Sequence, residues 1–203
     1  MTHSDFDPAG QQMNIDSRII AALERVSQAF RVLLWTESED YALSPIQIQV
    51  LIFLLYHPPS MRKVGYLASE FNLSKPTISN TVKILEQKKL LVREIESRDG
   101  RSSIIHLSKK GREIAIKTAA FTKGLRDPIH ELHPDDKESM LFGLMDIIHH
   151  LNEAGVITVQ RMCFTCAHYR PGYQGHPHFC GLLNRKLENN ELRLDCPEHQ
   201  SDE

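Results

Sequence analysis

From Ile15 onward, apolar residues recur at steps of three and four: Ile15, Ile19, Leu23, Val26, Phe30 and Leu33–Leu34. That spacing predicts one amphipathic helix of about 20 residues, with Asn14 as its N-cap. The polar, acidic residues 1–13 before it are expected to be a disordered tail. A second stretch, YALSPIQIQVLIFLLYHPP, offers Ser44 as an N-cap and Pro45 at the first helical position, where a missing N–H costs nothing. It runs to about His57, is stopped by Pro58–Pro59, and is apolar nearly all round, which predicts a central buried helix. Val64, Leu67, Ala68 and Phe71 then make one short helical face. Asn72, a residue that tolerates left-handed backbone, marks a tight turn. Ser74 caps a further helix with Lys75 and Pro76 in its first turn and Ile78, Val82 and Leu85 on its apolar side.

After that helix the pattern turns β-like. Leu90–Ile95 and Ser103–Leu107 read as strands around a polar tip containing Asp99-Gly100, a strong hairpin signal. Ser108 is placed to cap a long helix to about Leu125. Pro134 opens a last helix with Met140, Leu141, Leu144, Ile147, Ile148 and Leu151 on its inner side, and Gly155 closes the segment. Helix, short turn and helix at this spacing make the DNA-binding helix-turn-helix, although two ordinary packed helices give a similar local pattern. The basic-tipped hairpin that follows at once favours a winged helix. Its second helix would enter the major groove and its wing an adjacent minor groove. The expected fold is mainly α with a small β wing: a tail at 1–13, a winged-helix and dimerisation domain at 14–155, and a cysteine-rich tail at 156–203.

Charge supports this picture. The chain carries a formal net charge of −2, yet between Arg62 and Arg112 there are 12 Lys or Arg against five Asp or Glu, an excess of +7. A local basic field of that kind attracts polyanions. Apolar runs such as VLIFLLY at 50–56 fall far short of the roughly 18–20 residues that span a bilayer. The N-terminus has no basic start followed by an apolar stretch, so a cytoplasmic protein without a membrane partner is expected. The chain shows no nucleophile–base constellation, phosphate-cradling glycine loop or open metal triad, and an enzyme is not expected.

With these elements in order, residues 15–154 resemble the MarR (multiple antibiotic resistance regulator) family. The closest correspondence is SRDGRSSIIHLSKKG, which follows that family's wing pattern at Asp99, Arg101, Leu107, Ser108 and Gly111. LSKPTISNTVKILEQKKLLVR likewise resembles the family's recognition helix and following strand, with Lys89 where many members carry glycine. The resemblance implies a transcriptional regulator, a repressor by expectation, that binds double-stranded DNA at a pseudo-palindromic operator as a homodimer whose first and last helices interlock. By position, Ser74, Lys75, Thr77, Ser79, Asn80 and Lys83 would face DNA. Asn80 and Lys83 suit base edges, and Ser74, Thr77 and Ser79 suit phosphates or bases. Arg98 and Arg101 belong to the wing. Arg101 is expected in the minor groove, oriented by Asp99. The resemblance also allows a small-molecule effector, which no residue pattern identifies.

All four cysteines lie in the last quarter of the chain, as Cys163, Cys166, Cys180 and Cys196, spaced C-x2-C-x13-C-x15-C. A Cys-x-x-Cys knuckle aims two sulfurs inward, and the two later cysteines can close a four-thiolate site. A segment this short cannot support a core alone, so a metal would supply much of its folding energy. Structural zinc, in a zinc-ribbon-like tail, is the expected cofactor. His168, His176, His178 and His199 are alternative ligands. An iron–sulfur cluster or a reversible Cys163–Cys166 disulfide would instead make the protein a redox or metal sensor. A winged helix that binds only protein is a further alternative.

Overall fold

A computed structural model of the chain describes residues 4–95 and 103–201. Its contacts group into two units, Met1–Leu67 with Pro76–Leu125, and Ala68–Lys75 with Arg126–Glu203. The boundary expected after Gly155 is therefore not where the contacts divide. The last helix, together with the turn of the helix-turn-helix, groups with the cysteine tail.

The first unit begins with a short helix, α1 (Pro8–Met13), which corrects the expectation of a disordered segment there. Asp7 accepts a hydrogen bond from the Ala9 N–H at 3.1 Å. Asp5 accepts from the Gln11 side chain at 2.9 Å and from the Ser17 hydroxyl at 2.8 Å. A carboxylate cap and a proline in the first turn favour a helix that the polar composition concealed. Helix α2 (Ile15–Asp40) starts where expected, with Asn14 accepting from the Asp16 N–H at 2.9 Å. It runs 26 residues, past the end of the apolar periodicity, and its last turns carry an i,i+4 bond from the Trp35 indole to Glu39 at 3.0 Å.

Helix α3 (Pro45–Tyr56) opens with a capping box in which Gln47 accepts from the Ser44 N–H at 3.0 Å. Its Ile48, Val50, Leu51 and Leu54 are buried and form the centre of the unit. Each such side chain contributes on the order of 1.5–3 kcal/mol. Helix α4 (Val64–Glu70) leads to a turn in which Asn72 takes the expected left-handed backbone at φ 53°, and α5 (Lys75–Gln87) follows. The predicted apolar face of α5, Ile78, Val82 and Leu85, is fully buried. Strands β1 (Leu91–Ile95) and β2 (Ser103–Leu107) pair antiparallel, from Leu91 opposite Leu107 to Ile95 opposite Ser103. The hairpin tip, with Arg98, Asp99 and Arg101, lies outside the described residues.

The junction between α5 and β1 accounts for the wing pattern read from the sequence. Lys89 takes a left-handed φ of 60°, the conformation that glycine adopts without strain. Leu90 donates back to the Leu85 carbonyl at 2.9 Å, and its own carbonyl accepts from the Ser108 N–H at 2.9 Å. The Ser108 hydroxyl donates to the Lys89 carbonyl at 2.8 Å and accepts from the Gly111 N–H at 3.0 Å. Ser108 thus both caps α6 (Lys109–Thr118) and ties it to the end of α5. The single helix expected to about Leu125 is in fact broken. A 3-10 turn at Ala119–Thr122 separates α6 from α7 (Lys123–Glu131). At the break the buried Thr118 hydroxyl donates to the Ile114 carbonyl at 2.9 Å, a side-chain bond that competes with the helical ladder.

In the second unit, α8 (Pro134–Glu153) is capped by His133 and ends at Gly155, φ 72°. Met140, Ile147 and Leu151, expected on its inner side, are exposed, whereas Met145 is fully buried. Met145 joins Met162, Leu187 and Leu192 in a small core, against which Leu141, Ile148 and Phe164 pack. The tail is therefore not left to fold around its cysteines alone, because it shares apolar side chains with α8. Its strands β3 (His178–Cys180) and β4 (Arg185–Leu187) form an antiparallel hairpin. Among the described residues, no helix is long and apolar enough to cross a membrane.

Candidate functional site

Burying Ile78, Val82 and Leu85 turns the opposite side of α5 outward. Thr77, Ser79, Asn80 and Lys83 are exposed on it, as are Ser74 and Lys75 at its start. Asn80 and Lys83 are three positions apart and so share one face. Hydroxyl, amide and ammonium groups in such a row can meet phosphate oxygens and base edges. The structure also shows that part of the basic excess is engaged internally, which charge counting could not reveal. Arg93 pairs with Glu86 at 2.9 Å, and the Lys88 ammonium donates to the Ala42 carbonyl at 2.6 Å. Arg62 donates to the His57 carbonyl at 2.7 Å. Burial, and then repulsion from Arg112, lower its pKa.

All four cysteines line one cavity of about 270 Å³. Cys163 opens a 3-10 turn that presents Cys166, Cys180 ends β3, and Cys196 donates its N–H to the Arg161 carbonyl at 2.9 Å. Arg193 supplies two donors to sulfur, its backbone N–H to Cys163 at 3.2 Å and its guanidinium to Cys196 at 3.5 Å. Burial pushes the Cys163 thiol pKa up, the Arg193 N–H opposes this, and the other three cysteines add to the rise. Among the described residues no three Cys, His, Asp or Glu side chains converge closely enough to share one metal ion.

The histidines offered as alternative ligands divide sharply. His178 is buried and bridges the Tyr169 hydroxyl, at 2.6 Å, and Asn189, at 2.9 Å. Tyr169 has its pKa pushed up to about 12, first by burial and then by Cys163. His199 contacts the Thr165 hydroxyl and carbonyl at 3.1 and 2.8 Å. His168 lines the cysteine cavity, and its buried Nε2 has no hydrogen-bond partner among the described residues.

One constellation escaped the sequence altogether. Arg161 is buried and grips two carboxylates at once. It donates to Asp195 at 2.7 and 3.0 Å, and to Glu70, the last residue of α4, at 2.7 and 3.2 Å. Burial would lower the Arg161 pKa, but the bonds to Asp195 and Glu70 outweigh it and raise the value. Beside this network, the Thr158 hydroxyl donates to the Ser69 carbonyl at 2.6 Å, and the Asn72 amide donates to the Val156 carbonyl at 2.7 Å. Separations of up to 91 residues left no periodic or motif signal for these contacts.

Residues 42–102 match the profile of the MarR family. The solved structures similar to this chain include a Staphylococcus aureus MepR–DNA complex, at TM-score 0.57 and 22% identity, covering 64% of this chain and 96% of that one. Streptococcus pneumoniae FabT in complex with DNA is similar at TM-score 0.58 and 21% identity, covering 68% and 97%. A third is MepR described as a transcription regulator of the S. aureus multidrug efflux pump MepA, at TM-score 0.51 and 21% identity, covering 64% and 96%. No curated protein matches the chain. The chain thus shares the winged-helix fold of these structures over about two thirds of its length.

Proposed function

We propose that this protein is a DNA-binding transcription regulator of the MarR type, a repressor that binds a pseudo-palindromic operator as a homodimer. The observation that carries the proposal is α5, whose apolar side is fully buried while the opposite row from Ser74 to Lys83 stands exposed. In this reading α5 enters the major groove and the wing, through Arg101, enters the minor groove. The DNA complexes of MepR and FabT support the reading by likeness of fold. The dimer is supported by α2, which leaves Val32 65% and Trp35 58% exposed, large apolar groups that a second copy would cover. The four thiols of the tail, Cys163, Cys166, Cys180 and Cys196, are assigned to a closed structural zinc site.

The experiment is fluorescence anisotropy with a duplex selected from a random-sequence pool. A protein that neutralises about 6–10 phosphates loses on the order of 10³–10⁵ in affinity between about 50 and 200 mM salt. Arg101→Ala should weaken binding and leave the dimer intact. Equally weak binding to every duplex at low salt would refute the regulator, and unchanged affinity in Arg101→Ala would refute the wing contact.

A further inference from the structure

The segment that follows α8 closes on the turn of the helix-turn-helix. We propose that Arg161 is a positioning residue for DNA recognition, which braces the end of α4 and the turn before α5 so that α5 is presented to the duplex in one pose. The proposal rests on the DNA-binding reading above.

Where the bonds land is the first argument. Val156, Thr158 and Arg161, all shortly after Gly155, bond to Asn72, Ser69 and Glu70, which lie at the end of α4 and in the turn. Both polar atoms of the Asn72 side chain are engaged. Its amide donates to the Val156 carbonyl at 2.7 Å, and its Oδ1 lies 3.1 Å from the Thr158 hydroxyl. That hydroxyl donates to the Ser69 carbonyl at 2.6 Å. Within the turn, the Asn72 and Leu73 N–H groups donate to the Ser69 and Ala68 carbonyls at 3.2 and 2.9 Å. The braced residues are therefore those whose backbone ends α4 and bends the chain at the left-handed Asn72. All of these bonds lie inside the second unit, to which Ala68–Lys75 belongs.

The geometry of Arg161 is the second. A guanidinium is a rigid planar fork, and a bidentate pair with a carboxylate fixes direction as well as distance. Arg161 makes two such pairs. Its Nε and Nη2 donate to Asp195, and its Nη1 and Nη2 donate to Glu70. An exposed ion pair would hold little, but only 10% of the Arg161 side chain and 18% of that of Glu70 reach solvent. Removing one partner leaves the other a poorly solvated charge. The seat of Arg161 is itself fixed. Its segment bridges to that of Asp195 in parallel, with the Cys196 N–H donating to the Arg161 carbonyl at 2.9 Å and the Cys163 N–H donating to the Arg193 carbonyl at 3.0 Å. The two segments that carry Cys163 and Cys196 thus also carry Arg161 and Asp195.

The consequence follows from chain order. Glu70 ends α4 and Lys75 begins α5, so the braced turn is the whole covalent link between the two helices. The polar row assigned to DNA starts at its far end, with Ser74 and Lys75. A turn that samples several poses presents α5 correctly for only a fraction of the time, and the measured affinity falls by that fraction. Coupling between a brace and a binding surface typically changes affinity by about 5–150-fold. Arg161 acts through Glu70 and touches no DNA itself, so its loss removes no phosphate contact.

The test uses the full chain and two readouts, affinity for the selected duplex at several salt concentrations and amide hydrogen exchange without DNA. Arg161→Met should bind the duplex at least about fivefold more weakly, with an unchanged slope of log affinity against log salt. The Asn72 and Leu73 amides should exchange faster in this variant, while those of the buried Leu51 and Leu54 in α3 keep the parent rate, as local opening predicts. Arg161→Lys keeps the charge but not the fork, and should bind as weakly as Arg161→Met. Glu70→Gln and Thr158→Val carry the same comparison should Arg161→Met fail to fold by circular dichroism. Unchanged exchange at Asn72 and Leu73 would overturn the brace. Faster exchange with unchanged affinity, full affinity in Arg161→Lys, or a salt slope reduced by about one, the mark of a lost phosphate contact, would each overturn the positioning role. A parent protein that binds no duplex sinks the regulator reading and the positioning role with it, while hydrogen exchange still decides whether Arg161 braces the turn.

Discussion

Gly111 sits in the first turn of α6 directly under the Leu90 carbonyl, and replacing it by alanine is the sharpest stability test the structure offers. An added Cβ would lie 2.0 Å from the Leu90 oxygen and 2.9 Å from its carbonyl carbon, both backbone atoms that no rotamer change can move. The carbonyl would have to retreat by about 1 Å. It would then stretch the Ser108–Leu90 bond that joins β2 to the end of α5. Overpacking of this kind costs about 1–3 kcal/mol, and a weakened hydrogen bond about 0.5–1.5 kcal/mol more. The better helix propensity of alanine returns about 1 kcal/mol. The net expectation is a loss of about 0.5–3.5 kcal/mol, seen as a lower urea midpoint with an unchanged slope. Gly143→Ala is the control. It lies in α8 with nothing within 4 Å of the added carbon, and should gain up to about 1 kcal/mol. If Gly111→Ala proved as stable as the parent, the packing of α6 against Leu90 would be wrong.

Lys89→Gly, which relieves a left-handed lysine, should raise stability by about 1 kcal/mol in the same urea assay. An unchanged or lower midpoint would argue against the left-handed junction. Lys83→Ala should weaken binding to the selected duplex about tenfold and reduce the slope of log affinity against log salt by about one, as loss of a phosphate contact does. Titrations at several salt concentrations decide this, and an unchanged affinity places Lys83 away from DNA. Val32→Glu should convert the dimer to monomer by light scattering and lower DNA affinity with it, whereas a persistent dimer would exclude this face of α2. In metal-free protein, Cys163 and Tyr169 have folded pKa values above their unfolded ones, because burial disfavours their anions. Their contribution is complete below the ordinary thiol range near about 8.5. It is lost as pH rises through that range and on through about 12, where Tyr169 titrates in the fold. Unfolding midpoints measured from pH 7 to 11 should therefore fall, and a flat profile would contradict the burial of both groups.

Local rules made the winged helix legible. The Ser44–Pro45 start, the left-handed Asn72, the buried stripe of α5 and the pairing of 91–95 with 103–107 all follow from interactions within a few residues or across one hairpin. The same rules failed where polar and apolar signals competed. Helix α1 was hidden by a polar composition, and the break after Thr118 by a smooth periodicity that carried no sign of the Thr118–Ile114 bond. On α8 the periodicity placed Leu141 and Ile148 toward the core, but the fully buried position is Met145 rather than Met140, Ile147 or Leu151, because the tail that covers this helix is distant in sequence.

The sequence by itself determined the helices and hairpin of the winged helix, the polar row on α5 and the presence of four thiols in one tail, since each depends on residue type and short spacing. Only the tertiary structure decided what those thiols surround and what the tail holds. The cavity that the four cysteines help to line and the grip of Arg161 on Glu70 and Asp195 arise from segments up to 91 residues apart. Contacts at such separation are set by packing and ion pairing after the chain has folded, and they leave no periodic trace in the order of its residues.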